Sequence, residues 1–209
     1  MKTTESINEA RERVLDVAEK LFMTKGFQAV SMRDIADALG VRQSSLYYHA
    51  PQGKEQLFYD AAVRGLERHK NELEAIIARY EPDFRRQLHE VGQWFVQLDD
   101  MDLVRLVRLD LPEISVQYKR LIGEAVHETL MRPICTIVER HQAIGHIRNI
   151  DPNALVGGLL AISAWTNYFE SNQDQHVEIH NQIDQMIDIL LDGCWTMRTE
   201  PASPPVPKS

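Results

Sequence analysis

Apolar residues recur at helical spacing along almost the whole of this chain, and almost nowhere do they alternate as a strand requires. Val14, Val17, Ala18, Leu21 and Phe22 fall at i, i+3, i+4, i+7 and i+8, one stripe of a helix that Lys25-Gly26 ends. Ser31 starts a second helix, with Asp34 three residues on in a variant of the reciprocal capping pattern. Met32, Ile35, Ala36 and Leu39 form its inner face, and Gly40 stops it after about eight residues. A third short segment covers residues 41 to about 49, and Pro51-Gln52-Gly53 breaks the chain.

A long helix from Lys54 then carries Leu57, Ala61, Leu66, Leu73, Ile76, Ile77 and Tyr80 as far as Glu81-Pro82. A fifth carries Phe84, Leu88, Val91, Phe95 and Leu98 up to Asp99-Asp100, and residues 103–111 form a short sixth. Asp110, Pro112 and Glu113 open a long seventh helix, which Pro133 should kink and Gly145 should end. Asp151-Pro152 is a cap followed by a proline at the first helical position, the start of an eighth. The last helix carries Ile179, Ile183, Met186, Ile187, Leu190, Leu191 and Cys194. The expected fold is all-α. A head of three short helices (1–56) is joined by a long helix to a larger helical body (57–198), and a proline-rich tail (199–209) lacks fixed structure.

With 209 residues, 44% of them hydrophobic, the chain is large enough for a real core. Only 10 glycines and 9 prolines exclude collagen-like and low-complexity classes. Cys135 and Cys194 have no close cysteine partner, which suits a reducing cytosol rather than a disulfide framework. The longest apolar run, residues 154–165, falls short of the roughly 20 residues a bilayer span needs. The N-terminus has no signal-peptide core, so a cytoplasmic protein with no membrane partner is expected.

The net charge of −8 argues against a nucleic-acid binder until the chain is divided. Residues 1–56 hold 8 basic and 8 acidic side chains, so the whole acidic excess lies beyond Gln56. Within that neutral head, SMRDIADALGVRQSSLYYH fits a helix-turn-helix. Gly40 supplies the turn, and Val41 and Leu46 supply the apolar inner side of the second helix. Arg42, Gln43, Ser44 and Ser45 lie at its N-terminal end, the end that enters a major groove. Arginine pairs bidentately with guanine and glutamine with adenine, and small serines let the backbone come close to the duplex. Ser31, Tyr47, Tyr48 and His49 flank that end with polar groups suited to phosphates, and Lys54 sits at the next helix N-terminus.

Residues 14–57 resemble the N-terminal DNA-binding domain of the TetR family of bacterial regulators. Five fragments in family order carry the resemblance: A-x-x-L-F-x-x-x-G-F (residues 18–27), S-M-R-D-I-A, L-G-V, L-Y-Y-H and K-E-x-L. GHIRNIDP (145–152) resembles the family's link between its seventh and eighth helices. Two departures stand out. Arg42 stands where members often carry serine or threonine, and the stretch H-A-P-Q-G-K-E is one residue longer than the family's H-F-x-x-K-E.

The resemblance implies a homodimeric repressor of operator DNA, paired through its last two helices and released by a small-molecule effector. Leu155, Leu159, Ile162 and Phe169, beside small Gly158 and Ala161, make the eighth helix apolar beyond a single stripe. Candidate ligand-binding residues are Trp94, Phe95, Leu98, Tyr118, Thr129, Trp165 and Tyr168, although such a stripe also serves as plain core. His176 and His180 have a zinc-compatible spacing, but HVEIH lacks the glutamate directly after the first histidine, so no metal is expected. No enzyme signature and no cofactor motif is present. The competing reading is a small-molecule carrier or enzyme with a vestigial head.

Overall fold

The computed structural model describes residues 2–97, 106–169 and 176–194. Its regular elements are helical throughout: α1 (Lys2–Lys25), α2 (Met32–Leu39), α3 (Gln43–His49), α4 (Lys54–Arg79), α5 (Phe84–Val96), α6 (Val116–Val126), α7 (Arg132–Ala143), α8 (Pro152–Phe169) and α9 (His176–Cys194). Among the described residues no helix is long and apolar enough to cross a membrane.

The head forms where α1, α2 and α3 bury Ala18, Val30, Ile35, Ala36 and Leu46 almost completely. Phe22, Phe27 and Phe58 close its base, with ring centroids 5.0–6.1 Å apart. Phe58 belongs to α4, which also buries Leu57 and Ala61 at this end and Leu66 and Leu73 further along. One helix therefore contributes to both cores. It packs on α1 near its start and on α5, α6 and α7 beyond.

Three expectations about the body need correction. The fifth helix ends at Val96, and Leu98 lies outside the described residues. In place of a regular sixth helix, the described part is a wide π-type turn (Leu106–Asp110) followed by a 3-10 turn (Leu111–Glu113). The next helix begins only at Val116, after Ser115. Asp110 stands at the cap position of the 3-10 turn rather than of the long helix and makes no side-chain cap bond there, its carboxylate accepting instead from the Phe27 N–H of the head.

The predicted kink at Pro133 takes the form of a π-turn (His127–Met131) just before it. Proline has no N–H to give the carbonyl four residues back, that of Thr129. The turn above widens accordingly, so that the N–H of Arg132 reaches the His127 carbonyl, five residues away. The Thr129 hydroxyl donates to the Ala125 carbonyl at 2.6 Å within the same stretch. Further on, Asp151 caps α8 as expected, accepting from the Asn153 N–H at 2.9 Å.

α5 and α9 are joined by a ladder in matching four-residue steps. Arg85 bonds Asp188 and Asp192, His89 bonds Asp184 at 3.0 Å and Asp188 at 2.9 Å, and Gln93 bonds Asp184 at 3.0 Å. Residue numbers rise on one side as they fall on the other, so the helices run antiparallel. The hydrogen bond from His89, helped by that from Arg85, holds the Asp188 carboxyl below its usual range against the opposing effect of burial. Gly92 lies in the same contact. A Cβ there would come within 2.4 Å of Ile187 Cδ1 and 3.4 Å of Leu159 Cδ1. Gly92→Val should force the Ile187 side chain to repack against α5 and cost about 1–3 kcal/mol. Thermal unfolding of the two proteins checks this, and an unchanged melting temperature would contradict the close packing.

Candidate nucleic-acid interface

The local chemistry of residues 31–50 explains why α3 stands outward. Ser31 and Asp34 form the reciprocal capping box: the Asp34 N–H donates to Ser31 Oγ at 3.2 Å, and the Ser31 N–H to Asp34 Oδ2 at 2.7 Å. The Ser31 hydroxyl itself donates to Asp34 at 2.6 Å, and these hydrogen bonds, the hydroxyl's first, hold that carboxyl below its ordinary value. At the other end Gly40 adopts φ +69°, which lets the Val41 N–H close on the Ala36 carbonyl at 3.0 Å. The chain reverses there and α3 begins one residue after Arg42. Leu46 anchors α3 at 0% exposure. Fixing one side of a short helix in this way leaves the other free.

The free side holds most of the predicted contacts. Arg42, Gln43, Ser44 and Ser45 are exposed together over the first turn of α3, followed by Tyr47 and Tyr48 at 45% and 69% exposure. Tyr48 is therefore not a core residue of the head. Its ring meets His49 edge-on at 5.3 Å. Val41 departs from the sequence reading: it is not on the inner side of α3 but in the turn, 44% exposed. It lines a shallow groove with Ala10, Leu39 and the half-buried His49. The Ser31 hydroxyl is engaged in the cap. The Lys54 ammonium lies 4.0 Å above the Phe27 ring, where burial pushes it below its ordinary pKa and Asp34 pulls the other way.

The neutral sum of the head conceals a separation of charge. Arg64 of α4 binds Glu12 at 2.9 Å, Asp16 at 2.8 Å and Glu19 at 2.6 Å, and Arg68 also binds Glu19. Three carboxylates of α1 are thus taken up by cations from beyond residue 56. In return Asp60 takes Arg11 at 2.9 Å, yet burial outweighs that partner and raises the Asp60 carboxyl. Burial would raise Glu19 too, but hydrogen bonds from Arg68 and Arg64 overcome it and hold Glu19 low.

The predicted ligand residues have partners inside the fold. Phe95 is core, and the Trp94 ring lies tilted against it with centroids 5.0 Å apart, while its indole N–H donates to Glu72 at 3.2 Å. Thr129 is buried and bonded to its own helix. Tyr118 is buried as well, and its hydroxyl donates to Gln52 of the head at 2.6 Å. The side chains of Trp165, Tyr168, His176 and His180 lie outside the described residues, as does Leu98. Sequence periodicity missed a set of buried polar groups, His69, Gln87 and His141. Gln87 is 1% exposed; its amide donates to the Ile77 carbonyl at 2.8 Å, and its oxygen has no partner among the described residues. A polar residue on an apolar stripe was the signal available. No group of metal-ligating side chains is formed among the described residues.

A short capped helix, a glycine turn and an anchored second helix with a polar outer face define a helix-turn-helix head on a helical body. Residues 14–61 match the profile of the bacterial regulatory proteins of the tetR family. The transcriptional regulator LmrA of Bacillus subtilis is 39% identical over 56 residues, which cover 27% of this chain and 30% of that protein. The transcriptional repressor KstR2 of Mycobacterium tuberculosis is 34% identical over 74 residues, 35% of this chain and 33% of that protein. These alignments span about a third of each relative's length. The likeness in sequence to tetR-family regulators therefore lies over the helix-turn-helix head, residues 14–61. Solved structures extend the likeness of fold to the body. A TetR-family regulator from Mesorhizobium loti superposes with a TM-score of 0.69 at 19% identity, covering 90% of this chain and 98% of that one. A transcriptional regulator from Saccharomonospora viridis, in complex with choline, superposes at 0.67 and 20% identity, covering 91% and 100%.

The Arg64–Glu19 contact carries a pH signature. A carboxylate held low in the folded state stabilises it above the unfolded pKa and loses that contribution as pH falls. Glu19→Gln should therefore flatten the decline of melting temperature below about pH 4 relative to wild type. Parallel declines in the two proteins would show that Glu19 adds nothing.

Proposed function

We propose that this chain is a homodimeric transcriptional repressor that reads operator DNA through α3 and leaves it when a small organic effector binds within the helical body. In this reading residues 1–56 are the DNA-binding domain and 57–198 the effector and dimer domain, acting in the cytoplasm. The observation that carries it is the exposed run Arg42, Gln43, Ser44 and Ser45 at the start of a helix anchored from behind by Leu46. Arg42 and Gln43 read base edges; Tyr47, Tyr48 and His49 hold the flanking backbone. Ser31 and Lys54 join them only by giving up part of the contacts they make in the free head.

Several features support the dimer and the effector. Ala154, Gly157 and Ala161 leave the outer face of α8 small and exposed, and Ile189 of α9 is 73% exposed. Two heads joined through these helices suit half-sites one helical turn apart or a multiple of it. Inside the body, the buried amide of Gln87 offers an effector an unpaired acceptor. A relative named as a repressor and a neighbour holding choline accord with this reading.

Arg42→Ala should weaken specific binding by about tenfold to a hundredfold at fixed salt, the range of one lost bidentate base contact. Titration against the fragment footprinted upstream of the protein's own gene measures this, with sedimentation showing the dimer intact. Unchanged affinity would remove Arg42 from the reading face. A chain that protects no DNA but melts higher with a metabolite would overturn the repressor reading in favour of a carrier.

A further inference from the structure

Besides α4, a second described stretch of the body, residues 110–118, bonds the head. The buried N–H of Phe27 donates to Asp110 Oδ1 at 2.8 Å, and Asp110 is itself only 8% exposed. Gln28 bonds Glu113 beside it. Glu55, in the first turn of α4, accepts both the Ser115 N–H at 2.8 Å and the Ser115 hydroxyl at 2.7 Å. The Tyr118 phenol donates to the Gln52 side chain at 2.6 Å, with its ring 5.8 Å from that of Tyr59.

The points of attachment on the head are informative. Residues 27–28 lead from α1 into α2, and residues 52–55 follow directly on α3, so the helix-turn-helix is held from both sides. Gln52 lies in the stretch that is one residue longer than the family pattern, and its N–H is braced by the Gln56 side chain at 2.9 Å. Phe27, whose backbone is tied to Asp110, also carries the Lys54 ammonium on its ring. A displacement of residues 110–118 would therefore reach both the backbone after α3 and the predicted phosphate contact. α4 alone would act as a hinge about its own axis. Attachments on either side of α3 remove that freedom.

We infer that Tyr118 and Gln52, with Asp110, are positioning residues for DNA reading: they fix the angle at which the body presents α3. This rests on the dimeric-repressor reading, since the angle sets the separation of two heads. Tyr118, a candidate for effector contact from its aromatic spacing, acts here through the head instead. Its burial and its hydrogen bond across the junction serve to transmit orientation.

The test uses the full-length protein and two variants that remove the same bond from opposite sides, Tyr118→Phe and Gln52→Ala. Gln52 is exposed, so the second should fold even if the first is compromised. In the absence of DNA, exchange of the Phe27 and Ser115 amides should rise about fivefold in both variants, while that of the Ala50 amide within the head stays unchanged. On footprinted DNA, lengthening the half-site spacing by one base pair should penalise the wild type several-fold more than either variant. A merely structural role would lower affinity for both spacings alike. Wild type indifferent to spacing would overturn the dimeric reading and this inference with it. A spacing-sensitive wild type whose penalty both variants share, or variants with unaltered exchange at Phe27 and Ser115, would overturn this inference alone.

Discussion

α4 is 26 residues long, about 39 Å, and a three-helix head can cover only its first turns. Its apolar side is buried from Leu57 and Phe58 in the head to Leu66 and Leu73 in the body, so neither core is complete without it. The orientation of α3 therefore depends on how the body packs, through α4 itself and through the bonds from Asp110, Ser115 and Tyr118. The face proposed to read DNA is anchored by Leu46 in the head, and the proposed control of its direction comes from residues about seventy positions further along the chain.

Electrostatics follow the same division of labour. The net charge of −8 would repel a polyanion if it were spread evenly. It is not. Glu12, Asp16 and Glu19 are gathered onto Arg64 and Arg68, while Asp184, Asp188 and Asp192 are gathered onto Arg85 and His89. The two clusters join α1 to α4 and α9 to α5. The start of α3, with Arg42, carries no carboxylate of its own. An acidic chain can thus present a local face compatible with DNA, because its carboxylates lie elsewhere, six of them in these two interhelical clusters.

Much of the head was legible because its signals are local. The Ser31–Asp34 box, the positive φ of Gly40 and the cap at Asp151 each depend on residues within a few positions of one another. Leu46 follows from helical spacing alone. Val41 departs from the helical reading because the turn takes residues 41 and 42 before α3 starts at Gln43, which leaves it exposed beside the groove. Asp110 has the composition of a cap and was read as one, yet its partner is 83 positions away. Tyr118 and Thr129 share a side by spacing, but one bonds the head and the other its own helix. The kink expected at Pro133 appears as a widened turn over the preceding residues, since it is the carbonyls upstream that lose their donors.

The sequence by itself determined that the chain is helical, where most helices begin and end, and that residues 31–49 form a helix-turn-helix with a polar outer face. Those outcomes rest on periodicity, capping and the conformational freedom of glycine, all short-range properties. Only the tertiary structure decided which carboxylates meet which cations, which aromatic residues are core, and how the head is held to the body. The ion pairs between helices distant in sequence join side chains 45 to 107 positions apart, and no local pattern encodes them. They depend on the close packing of helices, such as the approach of α9 to α5 over Gly92, that brings distant residues to within a bond's length.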